Sequence, residues 1–141
     1  MSEPGPGPGP IEDVLYESTR LATYIYALLI TFPFSANMAP FEELAALLRN
    51  EVSVLDTLDL CIEDIKLLVW VLVMGAVAAI DTVERIWFVS MLRQVVGVVE
   101  IGSWEEMRDL LGRFLWLGST SDVDGRVLWG EVEACVNWGR S

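Results

Sequence analysis

The chain has no histidine, a single lysine (Lys66) and only two cysteines, Cys61 and Cys135. Without histidine the usual general base is missing, and with it the imidazole zinc sites; two unclustered cysteines cannot assemble a thiolate site either. Neither cysteine has a basic neighbour in the sequence to activate it as a nucleophile, and both read as buried thiols of a reducing compartment. Positive charge is scarce overall, with nine basic residues against 21 acidic ones and a net charge of −12. Phosphate affinity comes chiefly from clustered Lys and Arg, so this balance argues against direct nucleic-acid binding. The acidic residues are dispersed among apolar ones and read as solvated helix faces.

Other absences narrow the class further. No Gly-x-Gly-x-x-Gly follows a strand and no lysine-bearing phosphate loop occurs. The start lacks the charged segment, apolar stretch and small-residue cleavage site of a secretory leader. Residues 4–10 instead alternate proline and glycine, which disfavours helix and ladder alike, so residues 1–10 are expected to be a disordered leader before a helical domain over 11–141. Sustained period-two alternation is missing too, which leaves no strand pattern. The expected class is all-α.

What is present is apolar: 53% of the chain, an excess over the usual share that suggests a partner surface or a missing part of the chain. The run from Leu67 to Ile80 carries no charge between Lys66 and Asp81. As a helix it would rise about 21 Å, short of a bilayer core of roughly 30 Å. Being apolar on all sides, it needs neighbours on several faces. The expected architecture is therefore a compact bundle of five to six helices around a central apolar helix near 62–80, with Gly75, Ala76, Ala78 and Ala79 keeping its second half slim enough for a close neighbour.

The other segments are amphipathic. Val14, Ser18, Leu21, Ile25 and Leu28 step by three and four residues toward a helix end near Thr31, before Pro33. A second helix opens at Pro40 with Glu42 and Glu43 in its first turn and Phe41, Leu44, Leu47, Leu48, Val52 and Leu55 on its apolar face. Asp81 to Glu84 has capping-box spacing and opens a helix over about 82–98; Ser103 to Glu106 matches the same device better. Leu128, Trp129, Val132 and Val136 mark a last helix. The uncharged stretch 21–41 gives the rival reading, a small integral membrane protein with helices near 21–41 and 67–80, although Pro33, Asn37 and Pro40 interrupt it.

No catalytic or metal-binding constellation emerges, and no cofactor is implied. Asp56, Asp59, Glu63 and Asp64 could hold a hard cation but lack a convergent, glycine-bearing turn, and Asp122 to Glu133 departs from the calcium-loop pattern at Arg126 and Val127. Glu105 and Asp109 share a helix face without the Glu-x-x-His partner of a diiron site. The tryptophans read as core, with a small apolar ligand between helices as an alternative.

In their order and spacing, Leu68 to Ala79 with Trp70, Met74 and Gly75, then Glu84 to Val89 with Trp87, then Ser103 to Leu111 with Trp104, then Phe114 to Trp116, and finally Leu128 and Trp129 resemble the C-terminal part of the fungal-specific transcription factor domain. That domain is the large helical regulatory region of zinc-binuclear-cluster transcription factors. The resemblance covers roughly residues 60–132. It implies a non-catalytic regulatory module in the nucleus (cytoplasmic without that resemblance), acting through a protein partner, a second copy or a small apolar ligand. It also implies structural roles for Trp70, Gly75, Trp87, Trp104, Phe114, Trp116 and Trp129. The family's six-cysteine DNA-binding module is absent, so a DNA-binding role does not carry over. The full regulatory region is several times longer, and the chain resembles its last section standing alone.

Overall fold

The computed structural model describes residues 10–31, 41–55, 60–80, 82–114 and 125–134. Among them every regular element is a helix. In chain order these are α1 (Pro10–Thr31), α2 (Phe41–Val52), α3 (Ile62–Ala78), α4 (Glu84–Val98) and α5 (Trp104–Leu111), followed by α6 over residues 125–134. The protein is a compact all-α bundle.

The uncharged run forms the middle of it. In α3, Ile65 and every residue from Leu68 to Ala78 are buried, under α4 on one side, α1 and α2 on others, and α5 at a smaller contact. An all-round apolar helix has no solvent face to offer, and fully burying each Val, Leu or Met stabilises by about 1.5–3 kcal/mol, so wrapping α3 is what the fold achieves. The buried run is shorter than the sequence suggests. Leu67 is half-buried, α3 ends at Ala78, and Ile80 lies exposed in the turn where the Ala79 amide donates back to Gly75 O at 2.9 Å. Cys61 is exposed, contrary to the expectation of a buried thiol. It stands at the N-cap, ahead of the buried run that begins at Ile65.

The slim end of α3 admits a close neighbour. A Cβ placed on Gly75 would stand 2.3 Å from Cε1 and 2.6 Å from Cζ of Phe88, so the ring of α4 rests on bare backbone. Phe88 is fully buried there.

Helix α1 buries Leu15, Ser18, Leu21, Ala22 and Ile25 against α2 and α3. Pro10 at its start suits a first helical turn, whose amide would have no partner anyway. Helix α2 buries Phe41, Leu44, Ala45, Leu48 and Val52, with Glu42 and Glu43 in the first turn and Arg49 in the last, as its dipole favours. Leu47, expected on that face, is exposed. Ala45 takes the inward position instead and rotates the stripe away from it.

Of the two expected capping boxes, one forms, with its return bond shifted to the residue before the N-cap Ser103. The Glu106 amide donates to Ser103 Oγ at 3.2 Å, and Glu106 Oε1 accepts from the Gly102 amide at 2.7 Å. Helix α4 starts two residues later than expected, at Glu84, with no side-chain cap. Thr82 Oγ1 donates back to Ala79 O at 2.7 Å, closing the α3–α4 turn, and the Glu84 carboxylate goes to Arg49. The side chain of Asp81 lies outside the described residues. At its far end α4 stops in a six-to-one bond from the Ile101 amide to Val96 O, with Glu100 in the left-handed region at φ 59°.

Among the described residues no helix is long and apolar enough to cross a membrane. The leader was expected over residues 1–10, but Pro10 already belongs to α1, as its fixed φ suits a first helical turn; residues 1–9 and the interruption at Pro33, Asn37 and Pro40 lie outside the described residues.

Candidate functional site

Helix α6 is amphipathic in the simplest way. Gly125, Leu128, Trp129 and Val132 are buried at positions i, i+3, i+4 and i+7, while Arg126, Val127, Gly130, Glu133 and Ala134 face solvent. Its buried stripe lies in a groove formed by Val73 of α3, Leu92 of α4, and Trp104, Met107 and Leu111 of α5. Helix α5 is short, and its capping box fixes the turn that aims Trp104 into this groove.

The fit is nearly complete, and Leu128, Trp129 and Val132 join the main core. An apolar void of about 10 Å³ remains between stripe and groove. That is near the smallest space that holds one water, and the wall offers no polar surface to bind it, so the void stays dry. A small ligand ordinarily needs about 300–1,000 Å³, and this void gives it no preformed place.

A charged clamp borders the groove. Arg85, in the first turn of α4, donates from Nε to Glu131 Oε1 at 2.9 Å and from Nη2 to Glu131 Oε2 at 2.8 Å, a bidentate pair with α6. Its Nη1 donates to Ala76 O in the last turn of α3 at 2.6 Å. One guanidinium thus joins three helices while its side chain is 11% exposed; Glu131 is 39% exposed. The bidentate geometry fixes register as well as attraction. A second pair ties α2 to α4: Arg49 meets Glu84 at 2.7 Å and lies 5.6 Å from the centre of the Trp87 ring.

The seven residues singled out from the sequence fall into separate places. Trp70, buried in α3, stacks with half-buried Phe114 at 6.0 Å between ring centres. Gly75 receives Phe88, and half-buried Trp87 meets the same ring edge-on at 5.0 Å. Trp104 and Trp129 come together across the groove. Trp116 lies outside the described residues, as do Asp56, Asp59 and Asp122. Glu105 and Asp109 are exposed, Glu63 stands 3.8 Å from Lys66, and among the described residues no three metal-ligating side chains converge.

Sequence reasoning assigned no partner to Arg85, Glu131 or Arg49, and it read Glu84 as a capping carboxylate where the structure pairs it with Arg49. Arg85 carried a signal: a cation in the first turn of a helix opposes the dipole and needs a partner elsewhere.

A wider depression runs along the outer face of α1 between Tyr16, Thr19, Arg20, Thr23, Tyr24 and Ala27. It is open to solvent. Thr19 and Thr23 turn their hydroxyls to the carbonyls of Leu15 and Thr19, and Arg20 pairs with Glu17, so polar groups do not converge in it.

Compared with family models, with curated proteins and with solved structures, the chain matches none.

Proposed function

We propose that the chain is a non-catalytic regulatory or interaction module that works in transcription control, in the nucleus, through protein contacts and without touching DNA itself. The observation that carries this reading is the groove. Its recognition surface is apolar, shaped to one face of a helix and oriented by a single ion pair, which is equipment for holding a helix. The order and spacing of Trp70, Gly75, Trp87, Trp104 and Trp129 support the placement among regulatory regions like those of fungal zinc-cluster transcription factors. The net charge of −12 supports the exclusion of DNA. Partners in this reading are proteins or a second copy; a small apolar ligand would have to enlarge the void.

Two measurements test it. Fused to a heterologous DNA-binding module, the chain should change transcription of a reporter relative to that module alone, and an unchanged reporter would refute the reading. Titrated with labelled duplex DNA at low salt, the chain alone should leave fluorescence anisotropy flat. A rise that disappears steeply with added salt would overturn the statement about DNA.

A further inference from the structure

We infer that the C-terminal end of α4 is the surface through which the chain pairs with a second copy of itself. The two α4 helices cross antiparallel at Gly97, with Arg93 of each copy set against Glu100 of the other. This pairing goes beyond the proposed function and does not depend on it.

The end of α4 breaks two local rules, and nothing among the described residues accounts for either. Gly97 lies in the last turn, where alanine would favour the helix, and it is exposed, with open space where a Cβ would stand. Gly75 differs, because the Phe88 ring occupies the space that its missing side chain leaves. Three residues after Gly97 the chain turns through the left-handed region at Glu100, φ 59°. Glycine suits that position best, and the helix dipole disfavours an acid there. Arg93 and Glu100 are both exposed, and neither has an ion-pair partner among the described residues.

A second helix laid across Gly97 accounts for all of these together. A bare Cα lets another backbone approach closely, since the distance between helix axes is set by the side chains at the contact. Arg93 stands about one turn before Gly97 and Glu100 about one turn after it, so opposite charges flank a small centre. Run in reverse, that line is its own complement. An antiparallel crossing of two copies sets Arg93 against Glu100 twice, which is the reciprocity that a two-fold contact requires. The remaining charges select the same face. A second copy of net charge −12 is repelled on most approaches, but between Glu84 and Glu100 the chain carries no acid. The exposed neighbours of Gly97 on this side, Gln94 and the half-exposed, apolar Val98, are uncharged. A contact of a few turns is at the small end of specific interfaces, so the dimer is weak and depends on concentration.

Sedimentation velocity on the full chain, from about 10 μM to about 1 mM, should show the sedimentation coefficient rising from monomer toward dimer. Gly97→Leu enters open space in the single chain, so it should leave the urea midpoint unchanged or raise it while weakening association at least about tenfold. Arg93→Glu and Glu100→Arg should each weaken association about tenfold, and the two together should restore most of it. Glu100→Arg also lowers the net negative charge, so if overall repulsion alone governed association that variant would pair more tightly. A chain that stays monomeric at the highest concentration, association unmoved by Gly97→Leu, tighter pairing of Glu100→Arg, or a double exchange that fails to recover would each overturn the inference. Association is read by sedimentation and regulation by the reporter, so either can fail while the other stands.

Discussion

Replacing Gly75 with alanine tests the α3–α4 crossing on which the bundle closes. The added methyl carbon would stand 2.3, 2.6 and 2.9 Å from three atoms of the Phe88 ring, against an ordinary carbon–carbon contact of about 3.5–4.0 Å. The ring or the helix carrying it must therefore retreat by roughly 1–1.5 Å to reach that contact. Phe88 has no free direction for this: it is fully buried, with Trp87 packed edge-on at 5.0 Å. Overpacking a filled core costs about 1–3 kcal/mol, and three close atoms on a confined ring place this case at the upper end. Alanine returns about 1 kcal/mol through its better helix propensity. The net expectation is a loss of about 2 kcal/mol.

Urea unfolding followed by circular dichroism gives the change in midpoint at constant slope. A double-mutant cycle isolates the contact. Phe88→Leu alone opens space in the core and destabilises, but in the Gly75→Ala background it also relieves the clash, so the two changes should couple favourably by about 1–2 kcal/mol. If Gly75→Ala is neutral or stabilising, or if the two substitutions add without coupling, the ring does not rest on that backbone.

The remaining predictions follow the same physical terms. Ser18 is fully buried in α1 and its hydroxyl lacks a partner among the described residues, so Ser18→Ala should raise unfolding stability by about 1 kcal/mol; a loss would show that the hydroxyl is bonded. Glu100 occupies the left-handed region after α4, and Glu100→Gly should gain about 1 kcal/mol in the same assay. Ser103→Ala removes the cap of α5 and should cost about 1 kcal/mol, with Trp104 fluorescence reporting the loosened turn. Arg85→Met should speed amide hydrogen exchange over residues 125–134 more than elsewhere. Its stability cost should be about 1–2 kcal/mol, held down because Glu131 is partly solvated. Arg85→Met with Glu131→Leu should restore most of that protection.

The central helix was legible because charge is missing from Leu67 to Ile80, and the slim half was legible because Gly75 interrupts a series of large apolar residues. Neither fact named Phe88 as the ring that uses the space, since that depends on the crossing of α3 and α4 and no local pattern records it. Ser103 to Glu106 announced a cap that forms, while Asp81 to Glu84 had similar spacing and did not open the helix there. The difference lies in competition: Thr82 bonds back to Ala79 and Glu84 is drawn to Arg49 across the bundle. For the groove, Leu128, Trp129 and Val132 marked a helix with one apolar face. Their seat was hidden because its lining is gathered from three other helices, and Arg85 reaches Glu131 across 46 positions of sequence.

The two sides of α3 at this end do different physical work. On the Gly75 side, a ring presses on backbone, so any change in α4's position meets steep repulsion or opens a cavity; such an interface has one geometry. On the α6 side, one apolar stripe spans a void, and a polar tie at the margin supplies register. The stripe carries most of the energy there: Leu128, Trp129 and Val132 are as buried as the rest of the core, so cutting one back to alanine costs about 2–5 kcal/mol, while the pair to Arg85 adds less because Glu131 is partly solvated.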